Sequence, residues 1–98
     1  MLSNYHTPSK KWMNQIGYDF LEADAFELAI KSFKINKLNH QYLASAFDSL
    51  GDAYRDSGQY KLAKQNYQQA VKLAKHNQSK HVSYYQEQLA SVTTLAGK

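Results

Sequence analysis

The apolar residues of the chain recur every three or four positions, which is the spacing of one face of an α-helix. Met13, Ile16 and Phe20 follow this spacing first, and the pattern is interrupted over residues 22–25 and again over residues 56–59. Gly58 suits the left-handed conformation in which many helices end. The pattern therefore predicts helices separated by short turns, at about residues 10–23, 26–38, 42–56, 60–76 and 80–95.

The first two helix pairs repeat each other at an offset of 34 residues. The paired positions match in size and character: Met13 with Phe47, Ile16 with Leu50, Gly17 with Gly51, Phe20 with Tyr54, Phe26 with Tyr60, Ala29 with Ala63, and Phe33 with Tyr67. A gapless run of such pairs predicts two copies of one helix-turn-helix unit.

A glycine stands at the same internal position of the first helix in each copy, at Gly17 and Gly51. Glycine inside a helix costs about 1 kcal/mol relative to alanine, so its recurrence indicates close helix packing. We expect the two repeated alanines to be its small counterparts on the second helices. We expect Phe33 and Tyr67 to fill the space under the next hairpin.

A fifth helix is predicted after a polar turn at residues 76–79, where Ser79 is a plausible N-cap. Its apolar residues again recur at three and four positions: Val82, Tyr85, Leu89, Val92 and Ala96. Tyr85 stands where the repeat has its glycine. The segment is therefore predicted to be a capping helix and not a third full unit.

These positions resemble the tetratricopeptide repeat, whose pattern is W-x2-L-G-x2-Y followed by A-x3-F with a period of 34 residues. The chain departs from the pattern where Met13 and Phe47 replace the tryptophan, where Asn36 replaces an alanine, and where Gln41 and Lys75 replace a proline. The resemblance implies an all-α, right-handed superhelix of two hairpins and a capping helix. Its expected divisions are an N-terminal extension or linker at residues 1–9, unit one at 10–41, unit two at 42–77 and the capping helix at 78–98.

A narrower resemblance covers residues 16–21, 33–36 and 47–54. These segments are similar to a bacterial tetratricopeptide segment that follows the catalytic domain of some α/β-hydrolase esterases and penicillin-binding-type serine hydrolases. The resemblance implies an alternative role as an accessory or oligomerisation domain of a hydrolase, with catalysis outside this chain.

Composition narrows the function further. The chain has 98 residues, no cysteine and a formal net charge of +4. That length allows one small domain, and the absence of cysteine excludes disulfides and thiolate metal sites. No apolar run is long enough to span a membrane, and the first residues lack the apolar stretch of a secretory signal. We therefore expect a cytoplasmic protein without a membrane partner.

We expect no catalysis, cofactor or metal. No serine lies in a Gly-x-Ser-x-Gly elbow, no glycine-rich phosphate loop is present, and His76 and His81 are five positions apart rather than four. The basic residues of the fourth helix are expected to be solvated and not to bind nucleic acid, because the aromatic residue among them, Tyr67, belongs to the repeat core. They are Lys61, Lys64, Lys72 and Lys75.

The first helix of each unit in such repeats lines the concave surface, which makes its polar residues the candidate binding site. The positions in unit one are Lys11, Asn14, Gln15, Tyr18, Leu21 and Glu22, and those in unit two are Ser45, Asp48, Ser49, Asp52, Arg55 and Asp56. Asp48, Asp52 and Asp56 are spaced to share one helix face. This line favours a groove for a basic or amide-rich segment of a partner protein or peptide. The alternative is a solvated face whose charge Arg55 partly offsets.

One known groove function is not expected. Family members that grip the C-terminal carboxylate of chaperones carry lysine and asparagine where this chain has Asn14 and Tyr18.

Three apolar residues near the two ends, Trp12, Tyr84 and Leu95, fall outside the predicted core faces. They suggest pairing of an end with a second copy or with a preceding domain. The alternative is that they are scattered exposed apolar residues, which are normal on soluble proteins.

Overall fold

The computed structural model describes residues 10–97, and these form five α-helices without a strand, as predicted. The helices are α1 (Lys10–Glu22), α2 (Phe26–Asn39), α3 (Ala44–Asp56), α4 (Tyr60–His76) and α5 (Val82–Ala96). Every boundary lies within two residues of its prediction. The extension predicted at residues 1–9 lies outside the described residues.

Three helices end in the same way, with one residue in the left-handed conformation. These residues are Asp24 (φ 57°), Gly58 (φ 83°) and Gln78 (φ 56°). In each case the amide of the next residue bonds to a carbonyl five positions back, as in Gln59 N to Tyr54 O at 2.8 Å. This geometry is the Schellman motif, which satisfies carbonyls at the helix end. The glycine was predicted, whereas nothing in the sequence analysis indicated Asp24 or Gln78.

The same turn explains why Ser79 does not cap α5. The Ser79 amide bonds to Ala74 O at 2.8 Å and so closes α4. The Ser79 hydroxyl accepts a hydrogen bond from the His81 amide, and α5 begins only at Val82. The predicted N-cap role was therefore wrong, because Ser79 belongs to the end of the preceding helix.

The two repeated glycines let each hairpin close around an aromatic ring. A Cβ atom on Gly51 would lie 2.6 Å from Tyr67 Cε1, and one on Gly17 would overlap the Phe33 ring. Both rings are fully buried. Phe33 and Tyr67 thus fill the space between the two helices of their own hairpin, whereas the sequence analysis placed them under the next one.

The core runs through both hairpins and continues into α5. Leu50, Ala53 and Tyr54 of α3 pack between the hairpins, and Val92 of α5 joins the same buried cluster. Tyr85 joins a second cluster with residues of α3 and α4. The apolar face predicted for the fifth helix is therefore the face that packs on the repeat, which leaves the opposite face of α5 at the surface.

Candidate functional site

Asp52 is the point at which side chains from four helices meet. The Tyr18 hydroxyl of α1 donates to Asp52 Oδ2 at 2.5 Å, and the Tyr67 hydroxyl of α4 donates to Oδ1 at 2.6 Å. Gln88 of α5 donates through Nε2 to Oδ1 at 2.8 Å, and Arg55 of α3 lies 3.6 Å from the same oxygen. Short bonds of this kind are typical of an ionised acceptor, and they hold a carboxylate that is only 6% exposed.

Tyr18 and Asp52 occupy equivalent positions of the two units, 34 residues apart, so their bond joins the repeats directly. Burial, together with the Asp52 carboxylate, raises the pKa of both Tyr18 and Tyr67 well above its ordinary value. Both phenols therefore stay protonated and act as donors. The Tyr18 hydroxyl also lies 3.2 Å from Ser49 Oγ. Because the single phenol proton is given to Asp52, Ser49 is the donor in that contact.

Asp48 lies one helical turn before Asp52 and is equally buried. It accepts a hydrogen bond from Gln88 Nε2 at 3.2 Å. Burial and the neighbouring Asp52 carboxylate raise the pKa of Asp48 to about 7, although Gln88 and Arg55 act in the opposite direction. Asp48 is therefore a carboxyl group that changes its charge near neutral pH.

The three aspartates do not form an accessible line, which corrects the sequence analysis. Asp48 and Asp52 are buried, and only Asp56 is exposed. Asp48 and Asp52 are covered because α3 lies between α1 and α5 and packs on α4. Donors from these three helices therefore reach the polar face of α3. Over eight residues an α-helix rotates by about 80°, which brings Asp56 out to the surface. Two of the three carboxylates thus serve internal bonds.

An open depression lies beside this network, between α1 and α3. Its volume is about 260 Å³, and its lining residues are Tyr18, Leu21, Glu22, Asp52, Arg55 and Asp56. All six belong to the positions predicted to line a groove. Arg55 is held in place by hydrogen bonds to Asp56 (3.2 Å) and to Gln88 Oε1 (3.3 Å). The depression therefore has one guanidinium, that of Arg55, which is already hydrogen-bonded. Two exposed carboxylates lie at its rim, those of Glu22 and Asp56.

Of the twelve predicted groove positions, the structure brings six together in the network and places Asn14 elsewhere. Asp52 is joined there by Tyr18, Asp48, Ser49, Arg55 and Asp56. Asn14 instead accepts a hydrogen bond from the buried Asn36 at 3.1 Å and so ties α1 to α2.

Two members of the network were missed by the sequence analysis. Tyr67 was assigned to the core alone, although the change from Phe33 in unit one to a phenol in unit two was a usable signal. Gln88 gave no comparable signal, because its role depends on how α5 lies against α3.

The described part of the chain, residues 10–97, contains no group of three or more histidine, cysteine, aspartate or glutamate residues that could hold a metal ion. Among the same residues no helix has the length and apolar character needed to cross a membrane.

The chain has no significant match among curated proteins or solved structures. Residues 44–77, which contain α3 and α4, match the family model of the tetratricopeptide repeat. Helical repeats of this kind generally bind other proteins. The match supports the assignment of this hairpin to the tetratricopeptide repeat family.

Proposed function

We propose that the protein is a cytoplasmic, non-catalytic interaction module whose groove binds a basic segment of a partner protein in the depression between α1 and α3. The family match of α3 and α4 supports an interaction role in general. The particular site and the chemistry of the partner rest on the depression itself.

The charge of the depression is the observation that carries the proposal. Its lining includes three carboxylates against one guanidinium, although the chain as a whole has a net charge of +4. Arg55 already has partners in Asp52, Asp56 and Gln88. The carboxylates of Glu22 and Asp56 thus favour a lysine or arginine side chain and disfavour an acidic one.

The site residues have two proposed roles. Tyr18, Arg55 and Asp56 contact the partner, because they line the depression. Asp48, Ser49 and Asp52 fix these contact residues from below through the hydrogen-bond network. Asn14 acts at a distance by holding α1 against α2.

The test begins with a library of random dodecapeptides displayed on phage and selected on the immobilised chain. Selected peptides should be enriched in lysine or arginine, and their binding measured by calorimetry should weaken as salt is raised. The double variant Glu22→Gln with Asp56→Asn should weaken binding about tenfold, because two exposed charge pairs contribute about 1 kcal/mol or less each.

The matched control removes two exposed carboxylates elsewhere, with Glu27→Gln and Glu87→Gln. Their exposure resembles that of the rim residues, but neither lines the depression. An equal loss of affinity in the control would indicate diffuse electrostatic attraction and would contradict a site in the groove.

A second candidate function rests on the outer side of α2. Leu28, Ile35 and Leu38 are 49%, 48% and 69% exposed, and their spacing places them on one side of the helix. This α2 stripe would suit docking on a second copy or on a preceding domain, such as the catalytic domain of a hydrolase whose tetratricopeptide segment the sequence resembles. Sedimentation equilibrium tests the first option: Ile35→Glu should convert a dimer to a monomer.

A further inference from the structure

Helix α5 exposes two large apolar residues on one side. Tyr84 is 51% exposed and Leu95 is 42% exposed. Tyr84 lies four residues before Gln88, and Leu95 lies seven residues after it. In an α-helix these three positions fall within about 40° of one another, so they share a side.

The contacts of Gln88 show which way this side is turned. Its amide bonds to Asp48 and Asp52, and it accepts a bond from Arg55, so all three partners are on α3. Arg55 also lines the depression. Partial burial is the main cause that raises the pKa of Tyr84, and the nearby carboxylates of Asp48 and Asp52 raise it further. Both effects agree with a position beside the same network.

The rest of the exposed surface of α5 is different. The other exposed residues of this helix are small or polar: Ser83, Gln86, Glu87, Ala90, Ser91, Thr93 and Thr94. A helix that only caps a repeat needs a polar outer face, and α5 has one. Its exposed large apolar residues are confined to the side that meets α3. The sequence pattern predicts that Tyr84 and Leu95 pair with a second copy or with a preceding domain.

We propose that Tyr84 and Leu95 form a second contact surface of the groove, on which each receives its own aromatic or aliphatic side chain of the partner segment. The inference rests on the proposed function, because it concerns another part of the same partner segment that is proposed to bind the depression. The partner is then a bipartite segment, with a basic residue in the depression and two apolar residues on α5. Charge complementarity at Glu22 and Asp56 selects the basic residue, and the apolar surface of α5 selects the apolar residues.

The length of this surface sets the size of the matching segment. Leu95 lies eleven positions after Tyr84, which corresponds to about 16 Å along a helix. An extended peptide covers that length with about five residues. Selected peptides should therefore carry their apolar residues within a short stretch next to the lysine or arginine.

The experiment uses one dodecapeptide selected from the phage library and the full chain. Tyr84→Ala and Leu95→Ala should each weaken its binding at least fivefold in calorimetry. Replacing the apolar residues of the peptide by alanine one at a time should identify one replacement that removes the effect of Leu95→Ala, as a double-mutant cycle requires for a direct contact. Leu62→Ala on α4, where Leu62 is 37% exposed, is the control outside the proposed contact surfaces and should leave the affinity unchanged.

The outcomes separate this inference from the proposed function. If Glu22→Gln with Asp56→Asn weakens binding but the α5 variants do not, the second contact surface is wrong and the basic site stands. If neither set changes the affinity, both proposals fail. If the α5 variants dissociate a dimer in sedimentation equilibrium, the surface binds a second copy and the bipartite segment is wrong. Leu95→Ser repeats the test with an independent variant, and circular dichroism verifies that each protein is folded.

Discussion

The two hairpins share their packing plan but not their polar chemistry. In both, a glycine of the first helix lies against an aromatic ring of the second. Asn14, Tyr18 and Phe33 of the first hairpin correspond to Asp48, Asp52 and Tyr67 of the second. The second hairpin lies in the middle, so its carboxylates find donors on α1, α4 and α5. The glycine and aromatic positions that the hairpins share set the helix spacing. The polar positions at which they differ form the hydrogen-bond network around Asp52.

The outer faces of the second helices differ in the same way. On α2 the stripe consists of Leu28, Ile35 and Leu38, and the equivalent residues of α4 are Leu62, Gln69 and Lys72. Only one apolar residue of the three is retained on α4. The outer side of α4 is therefore suited to solvent, whereas that of α2 is suited to another apolar surface.

The largest expected effect comes from a position that the hairpins share. Gly51→Leu should lower the free energy of unfolding by about 3 kcal/mol, because the new side chain has no room beside the buried Tyr67 ring. Urea denaturation measures the change. Gly97→Ala is the control, since a Cβ there meets only ordinary contacts. A variant Gly51→Leu as stable as the parent would contradict the packing plan.

The next effect concerns the charge of Asp48, a position at which the first hairpin has the neutral Asn14. Asp48 has an ordinary pKa of 3.8 and a pKa of about 7 in the folded protein. The folded state thus holds this proton more tightly than the unfolded chain does. The contribution of Asp48 to stability is therefore complete below about pH 4 and is lost as the pH rises through 7.

Asp48→Asn introduces the residue that the first hairpin has at this position and removes the titration. Its free energy of unfolding relative to the parent should increase by about 3 kcal/mol between pH 4.5 and pH 8. Urea denaturation over this pH range measures the difference, and the exposed Asp56→Asn serves as the control. Parallel curves for the parent and Asp48→Asn would show that the buried carboxyl does not titrate in this window.

A smaller effect on stability is expected when the hydroxyl group of the Tyr67 ring is removed. Tyr67→Phe gives the second hairpin the ring of the first and removes one donor from Asp52. The loss should be about 1.5 kcal/mol, because a hydrogen bond to a charged group is lost while Tyr18 and Gln88 still donate. Thermal denaturation compares it with Tyr42→Phe, whose side chain is largely exposed and whose substitution should have no effect. Equal melting temperatures for both variants would contradict the proposed donor role.

Periodicity and the repeat were sufficient to predict the five helices, because both depend on local spacing. They also assigned Tyr18, Arg55 and Asp56 to the concave surface, and the structure places all three at one depression. They could not predict that Asp48 and Asp52 are buried, since a helix face can be identified from spacing whereas the element that covers it cannot. Gln88 was missed for the same reason. Asp24 and Gln78 were missed because the left-handed conformation was expected only at glycine.

The bond between Tyr18 and Asp52 has a consequence for how the protein unfolds. A repeat array is stabilised by each unit and by the interfaces between neighbours, so weakly coupled units can open one at a time from an end. Here one buried carboxylate takes hydrogen bonds from α1, α4 and α5 together. Opening of either end removes partners from the same group, which penalises partly open states. We expect the two hairpins and the capping helix to unfold in a single cooperative transition.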